Sequence, residues 1–151
     1  MSIKILIVDD DYGIRMLLQN IFSEVPSFEV SEASSGKEAL EKGVECKPDI
    51  IILDIMLPEM DGYQVCERIR SHYQLKDAYI IMLSAKHQDA DIKRAIDADT
   101  DEYITKPFEA DDFRTHILWV ARAIQRNEEI KPSFVERHDF VHYIKGKIIK
   151  R

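Results

Sequence analysis

Cysteine, glycine and proline are scarce in this chain: two, five and five of 151 residues, with one tryptophan. Cys46 and Cys66 have no Cys-x-x-Cys pattern and no Cys/His cluster beside them. That argues against a disulfide framework or a zinc site and fits two reduced thiols. Glycines stand at 13, 36, 43, 62 and 146 only, so the Gly-rich loop that cradles nucleotide phosphates is missing. No apolar run approaches the ~18 residues of a membrane span. The start, Met-Ser-Ile-Lys, leads straight into a strand-like segment without a signal-peptide pattern. A cytoplasmic location with no membrane partner is therefore expected. Basic charge is also short, 21 Lys and Arg against 28 Asp and Glu, for a net −7, which argues against direct nucleic-acid binding. The deficit is uneven. Residues 132–151 hold five basic side chains (Arg137, Lys145, Lys147, Lys150, Arg151) and two acidic ones, leaving −10 on the first 131 residues.

What is present is an alternation of two patterns. Ile3 to Val8, Ile50 to Leu53 and Tyr79 to Leu83 are apolar almost throughout, as strands covered on both faces of a parallel sheet are. Phe28 to Ala33 alternates, and Tyr103 to Thr105 is short and preceded by charge; both read as edge strands. Between them lie helical stripes: Ile14, Leu17, Leu18, Ile21, Phe22 and Val25; Ala39, Leu40 and Val44; Gly62, Val65, Cys66 and Ile69; Ile92, Ala95 and Ile96; and Phe113, Ile117, Val120, Ala121 and Ile124. Five strand–helix units in strict alternation predict a doubly wound α/β sandwich with helices on both faces. Buried strands one, three and four with edge strands two and five fit the order 2-1-3-4-5.

In such a sheet every strand ends at one edge, where ligands bind. The residues closing the apolar runs are Asp9-Asp10-Asp11, Asp54, Ser84 and Thr105-Lys106-Pro107. Two carboxylates about 4 Å apart repel by ~4 kcal/mol at an effective dielectric near 20, so a cluster of three calls for a cation. All-oxygen donors favour Mg²⁺ or Ca²⁺ over zinc. One lysine is too little to neutralise the group and is better placed to meet an anion. Carboxylates, a hard metal, a hydroxyl and a lysine together make a phosphoryl-transfer site with Asp54 as nucleophile. Asp11 reads instead as the cap of the first helix. The histidines show no ligand spacing: His72, His87 and His116 read as surface residues, and His138 and His142 as a remote chance of a metal pair.

Ile-Leu-Ile-Val-Asp-Asp-Asp (5–11), Ile-Leu-Asp-Ile-Met-Leu-Pro-Glu-Met-Asp-Gly (52–62), Met-Leu-Ser-Ala (82–85) and Tyr-Ile-Thr-Lys-Pro-Phe (103–108) resemble the receiver domains of two-component response regulators. The resemblance runs over residues 3 to about 126 and implies a flavodoxin-like five-stranded sheet with five helices. It implies Asp54 as phospho-acceptor and Mg²⁺ as cofactor, held directly by Asp10, mostly through water by Asp9, and also by Asp54 and the Met56 backbone carbonyl. Ser84 and Lys106 would contact the phosphoryl group, Tyr103 would be the switch aromatic, and Lys106-Pro107 would be a cis bond. The partner would be a sensor histidine kinase or a histidine phosphotransfer protein. Output, including a homodimer, would use the face of the fourth helix, fifth strand and fifth helix. Such a protein is a signalling switch with self-catalysed phosphotransfer, not an enzyme. One departure is Asp99-Thr100, where the family usually has Gly-Ala.

The competing reading is a Mg²⁺-dependent phosphohydrolase with an Asp nucleophile on a related fold. It wants Asp-x-Asp where this chain has Asp54-Ile55-Met56, and it needs room for a substrate cap. The expected domains are a receiver over 1–128 and, over 129–151, a basic and apolar tail or the start of a linker to an output domain. Phe134, Val135, Phe140, Val141, Ile144, Ile148 and Ile149 fit neither a helical nor a strand period. Their number still argues for an ordered tail, folded back on the acidic body or packed on a second copy.

Overall fold

A computed structural model describes residues 2–86, 88–130, 140–145 and 147–148. Strands and helices alternate as β1 (Ile3–Val8), α1 (Tyr12–Ser23), β2 (Phe28–Ala33), α2 (Gly36–Cys46), β3 (Ile50–Leu53), α3 (Gly62–Ser71), β4 (Tyr79–Ser84), α4 (Asp89–Asp97), β5 (Glu102–Thr105) and α5 (Ala110–Arg126). Three further strands follow: β6 (Glu129–Ile130), β7 (Val141–Ile144) and β8 (Lys147–Ile148). The first five strands are parallel in the order β2-β1-β3-β4-β5. Every position of β3 and β4 is buried, as the continuous apolar runs require. One core layer packs α1 and α5 on the sheet and the other packs α2, α3 and α4. No helix among the described residues is long and apolar enough to cross a membrane.

The helical stripes hold with three exceptions. Leu17, Val44 and Ile96 are exposed, at 43%, 39% and 40%. In α2 the buried face is made of Gly36, Ala39 and Gly43. A Cβ on Gly36 would lie 2.7 Å from Val65 Cγ2, and one on Gly43 would lie 3.1 Å from Leu75 Cδ1. The helix sits too close to its neighbours for large residues on that face, which turns Val44 outward.

Two expectations around β5 are corrected. It is not an edge strand: β7 pairs with it antiparallel, Glu102 opposite Ile144, Tyr103 opposite Tyr143 and Ile104 opposite Val141. The Thr105 amide donates to the Phe140 carbonyl at 2.8 Å and the Lys145 amide to the Asp101 carbonyl at 2.9 Å. The charges that suggested an edge are buried and paired instead. Asp101 accepts from Arg70 at 2.7 Å and from the Ile80 amide at 2.9 Å. Glu102 accepts from the Tyr79 hydroxyl and faces His116 Nε2 at 2.5 Å. His116, expected at the surface, is thereby fully buried on α5. Of the tail, Phe140 is buried against the α1/α5 layer, and β8 pairs with β6. Phe134, Val135, His138 and Ile149 lie outside the described residues, as do His87 and the His142 side chain.

Candidate functional site

The rim at the carboxyl ends of the parallel strands brings together the residues named from sequence. Register places Val8 beside Leu53, Leu53 beside Met82 and Ser84 beside Thr105. The strand-closing residues therefore fall side by side. Two backbone bonds extend that alignment: Asp54 N to Val8 O at 2.9 Å and Lys106 N to Ser84 O at 2.9 Å. Asp9 and Asp54 are buried and Asp10 is exposed. One carboxylate oxygen from each lies within 4.8 Å of the others. Lys106 Nζ is 2.9 Å from Asp9 Oδ2 and 3.9 Å from Asp54 Oδ1, so it bridges two acids. Asp11 stands apart as the α1 cap, accepting from the amides of Gly13 and Ile14.

The electrostatics follow from this crowding. Burial, and then the negative charge of Asp9, push the Asp54 carboxyl up to about 6, against the pull of Lys106 and the amides of Met56 and Ile55. Three carboxylates with one lysine leave uncompensated negative charge around an all-oxygen donor set. That set fits a hard divalent cation such as Mg²⁺, with Asp9, Asp10 and Asp54 as the residues able to hold it.

Asp9 is fixed by groups the sequence pattern did not single out. Arg15 Nη1 donates to its carbonyl at 2.8 Å while Arg15 Nε pairs with Glu32 at 3.0 Å. No spacing rule links Arg15 to the rim. Gly62 was legible as a helix-stripe position and as the end of the 52–62 motif but not as a close contact, yet a Cβ there would lie 2.3 Å from the Asp54 carbonyl oxygen and 2.7 Å from Ile55 Cα. The α3 N-terminus, capped by Asp61 with a reciprocal Gln64 bond, thus packs directly on the backbone that carries Asp54. Its amide seals the turn, Gly62 N to Ile55 O at 2.8 Å.

Ser84 is fully buried at the end of β4, and its Oγ accepts from the Lys86 amide at 3.2 Å. Tyr103 is fully buried too, its hydroxyl donating to the Lys86 carbonyl at 2.6 Å. Burial pushes that hydroxyl well above its ordinary titration range, with the nearby Ser84 side chain pulling the other way. Met56 is exposed beside the site, and the Lys106–Pro107 peptide is cis. Asp99, the departure from Gly, does adopt the left-handed backbone, with φ 69°. A surface groove of about 720 Å³ lies between α2 and α3 against Leu40, Val44, Arg68 and His72 and is lined by none of the rim residues.

Comparison with known proteins gives the family. Residues 5–118 match the response regulator receiver domain. The transcriptional regulatory protein SrrA of Staphylococcus aureus is 41% identical over 138 residues, covering 91% of this chain and 54% of SrrA. The chain thus spans about half the length of the curated relatives it matches. Among solved structures, the chemotaxis protein CheY4 of Vibrio cholerae aligns with a TM-score of 0.74 at 27% identity, over 80% of this chain and 99% of that one. The receiver domain of a signal transduction histidine kinase from Syntrophus aciditrophicus aligns at 0.75 and 28%, over 88% and 100%. Sheet order, rim composition and these matches agree, and the chain belongs to the response regulator receiver family.

Proposed function

We propose that this chain is a phosphorylation-dependent switch in which Asp54 accepts a phosphoryl group from the phosphohistidine of a histidine kinase or histidine phosphotransfer protein. The observation that carries this reading is the convergence of Asp9, Asp10 and Asp54 within 4.8 Å, with Lys106 reaching two of them and Ser84 on the adjoining strand. A carboxylate buried at the rim, with one amine 3.9 Å away and one hydroxyl at the end of the adjoining strand, is an oxygen nucleophile with groups at hand to meet an incoming phosphoryl oxygen.

In the transfer, an Asp54 carboxylate oxygen attacks phosphorus in line. The new P–O bond forms as the P–N bond to the donor imidazole breaks, and the departing nitrogen regains a proton from solvent. Asp54 must be ionised to attack, which a value of about 6 allows at neutral pH. Lys106 is free to move from Asp9 toward the new phosphoryl oxygens and pair with them. Ser84 turns its hydroxyl toward the same group. Mg²⁺ held by Asp9, Asp10, Asp54 and the Met56 carbonyl would supply positive charge against the phosphoryl oxygens. Tyr103 and the loop from Ser84 to Lys86 then carry the change to the α4–β5–α5 face, the output surface. A homodimer through that face has to accommodate β7, which covers the outer side of β5. The body is acidic, so the contact this segment itself makes is with protein rather than with nucleic acid. Control of transcription, which the name of SrrA carries, lies downstream of that contact.

The test is chemical. Incubation with Mg²⁺ and acetyl phosphate, followed by peptide mapping, is expected to put one phosphoryl group on Asp54 and none on the Asp54→Asn variant. Labelling of that variant at the wild-type rate would overturn the assignment.

A further inference from the structure

The strand β7 is the part of the molecule that the site does not explain. It is tied to β5 along its whole length, by Thr105 N to Phe140 O next to Lys106 and by Lys145 N to Asp101 O at the far end. The Lys145 ammonium also pairs with Asp99. Its register is irregular between Tyr103 and Ile104, where β7 advances two residues, Tyr143 to Val141, against one. That bulge has a consequence for packing. In a regular strand Val141 and Tyr143 would share a face. Here Val141 packs with Ile104 on the α1/α5 layer, and Tyr143 packs with Tyr103 on the α3/α4 layer.

Tyr103 is thereby enclosed. Met82 of β4 is its neighbour on one side and Tyr143 of β7 on the other, with Ala95 and Ala98 in the same core layer. Opposed cross-strand side chains sit about 5 Å apart, so Tyr143 lies against Tyr103 on the β7 side. In this enclosed position Tyr103 bonds to Lys86 O, and the Lys86 amide bonds to Ser84 Oγ. A continuous set of contacts therefore runs from the rim hydroxyl to the tail strand.

We propose that β7 is a latch on β5 whose docking is coupled, with the same sign, to occupancy of Asp54 by a phosphoryl group, through Tyr103. The proposal rests on the reading of Asp54 as phospho-acceptor. A docked β7 holds Tyr103 inward and so fixes the loop that carries Ser84 beside the rim. A phosphoryl group drawing on Ser84 favours that same loop position. Both events select one arrangement, so each strengthens the other by an equal factor.

The experiment uses the full chain and beryllium fluoride with Mg²⁺ as the phosphoryl mimic, its uptake followed by fluorine NMR. Amide exchange of residues 141–145 is expected to slow about fivefold or more on saturation. Tyr143→Ala is expected to raise the half-saturating mimic concentration by the same factor. Tyr103→Phe, which keeps the ring but loses the bond to Lys86, is expected to take up mimic without slowing exchange in β7. Saturation of the site with unchanged or faster exchange in 141–145 overturns the latch and leaves the phospho-acceptor reading standing. Failure of the wild-type chain to take up any mimic overturns both.

Discussion

At the scale of single residues, the rim is a place where burial and like charge act together on Asp54. Its carboxyl is ordinary near 3.8 and is held at about 6 in the folded chain. A raised carboxyl favours the native state below its unfolded value and loses that contribution as pH rises through the folded one. Without divalent metal, the protein therefore carries the full penalty above about pH 6. Ionising a carboxyl held at about 6 instead of 3.8 costs the folded state about 3 kcal/mol. Asp54→Asn is expected to be more stable than wild type by about 2–3 kcal/mol at pH 7.5 in chelator, with the gap shrinking to about 1 kcal/mol by pH 4.5. Urea titrations at the two pH values check it, and a pH-independent gap would point to packing instead.

The two acids of β1's end differ in a way that sequence order alone does not show. Asp9 accepts from the Asp11 amide on Oδ1 and from Lys106 on Oδ2, so both its oxygens are already engaged, whereas Asp10 is exposed. Mg²⁺ binding is expected to fall at least tenfold further in Asp10→Asn than in Asp9→Asn, about 1.4 kcal/mol. Calorimetric titration of both variants reads this directly, and equal losses would reverse the ranking.

At the scale of elements, the contact between α3 and the β3 end decides whether Asp54 is held in place. Gly62→Ala would push a methyl into the Asp54 carbonyl, and overpacking of this kind costs about 1–3 kcal/mol. The variant is expected to lose that much stability and to phosphorylate more slowly, because the backbone under the acceptor must shift. Denaturation and acetyl phosphate labelling measure the two effects separately. This contact also shows what was legible. The runs Ile3–Val8, Ile50–Leu53 and Tyr79–Leu83 announced buried parallel strands, since apolar continuity is a property of the segment itself. The burial of Glu102 and His116 was not legible, because each is charged or polar locally and becomes a core residue only through the other and Tyr79. The fold brings these partners together from 14 and 23 residues away. For the same reason β5 read as an edge. Its cover comes from a strand whose bulge breaks the period that would have identified it.

At the scale of the whole molecule, one topological fact made the site readable. A parallel sheet sends all its strand ends to one side, so the positions of Asp9, Asp10, Asp54, Ser84 and Lys106 at the ends of their apolar runs suffice to gather them on one rim. The same fact predicts how the molecule responds to a cation. Bringing three acids within 4.8 Å concentrates on one rim a charge that the chain, at net −7, does little to offset, and a ligand that binds only the folded rim stabilises the fold by mass action. At a free Mg²⁺ concentration 100 times its Kd that amounts to about 2.7 kcal/mol, about 5–10 °C in Tm for a chain of this size. Thermal unfolding is expected to show this rise with Mg²⁺ and to need a higher Mg²⁺ concentration in Asp10→Asn. Sodium chloride at matched ionic strength is the discriminating control, because screening acts on all exposed charges and not on the rim in particular. An equal rise with sodium would assign the stabilisation to the net charge and remove the support that a rim-bound cation gives to the phosphoryl-transfer reading.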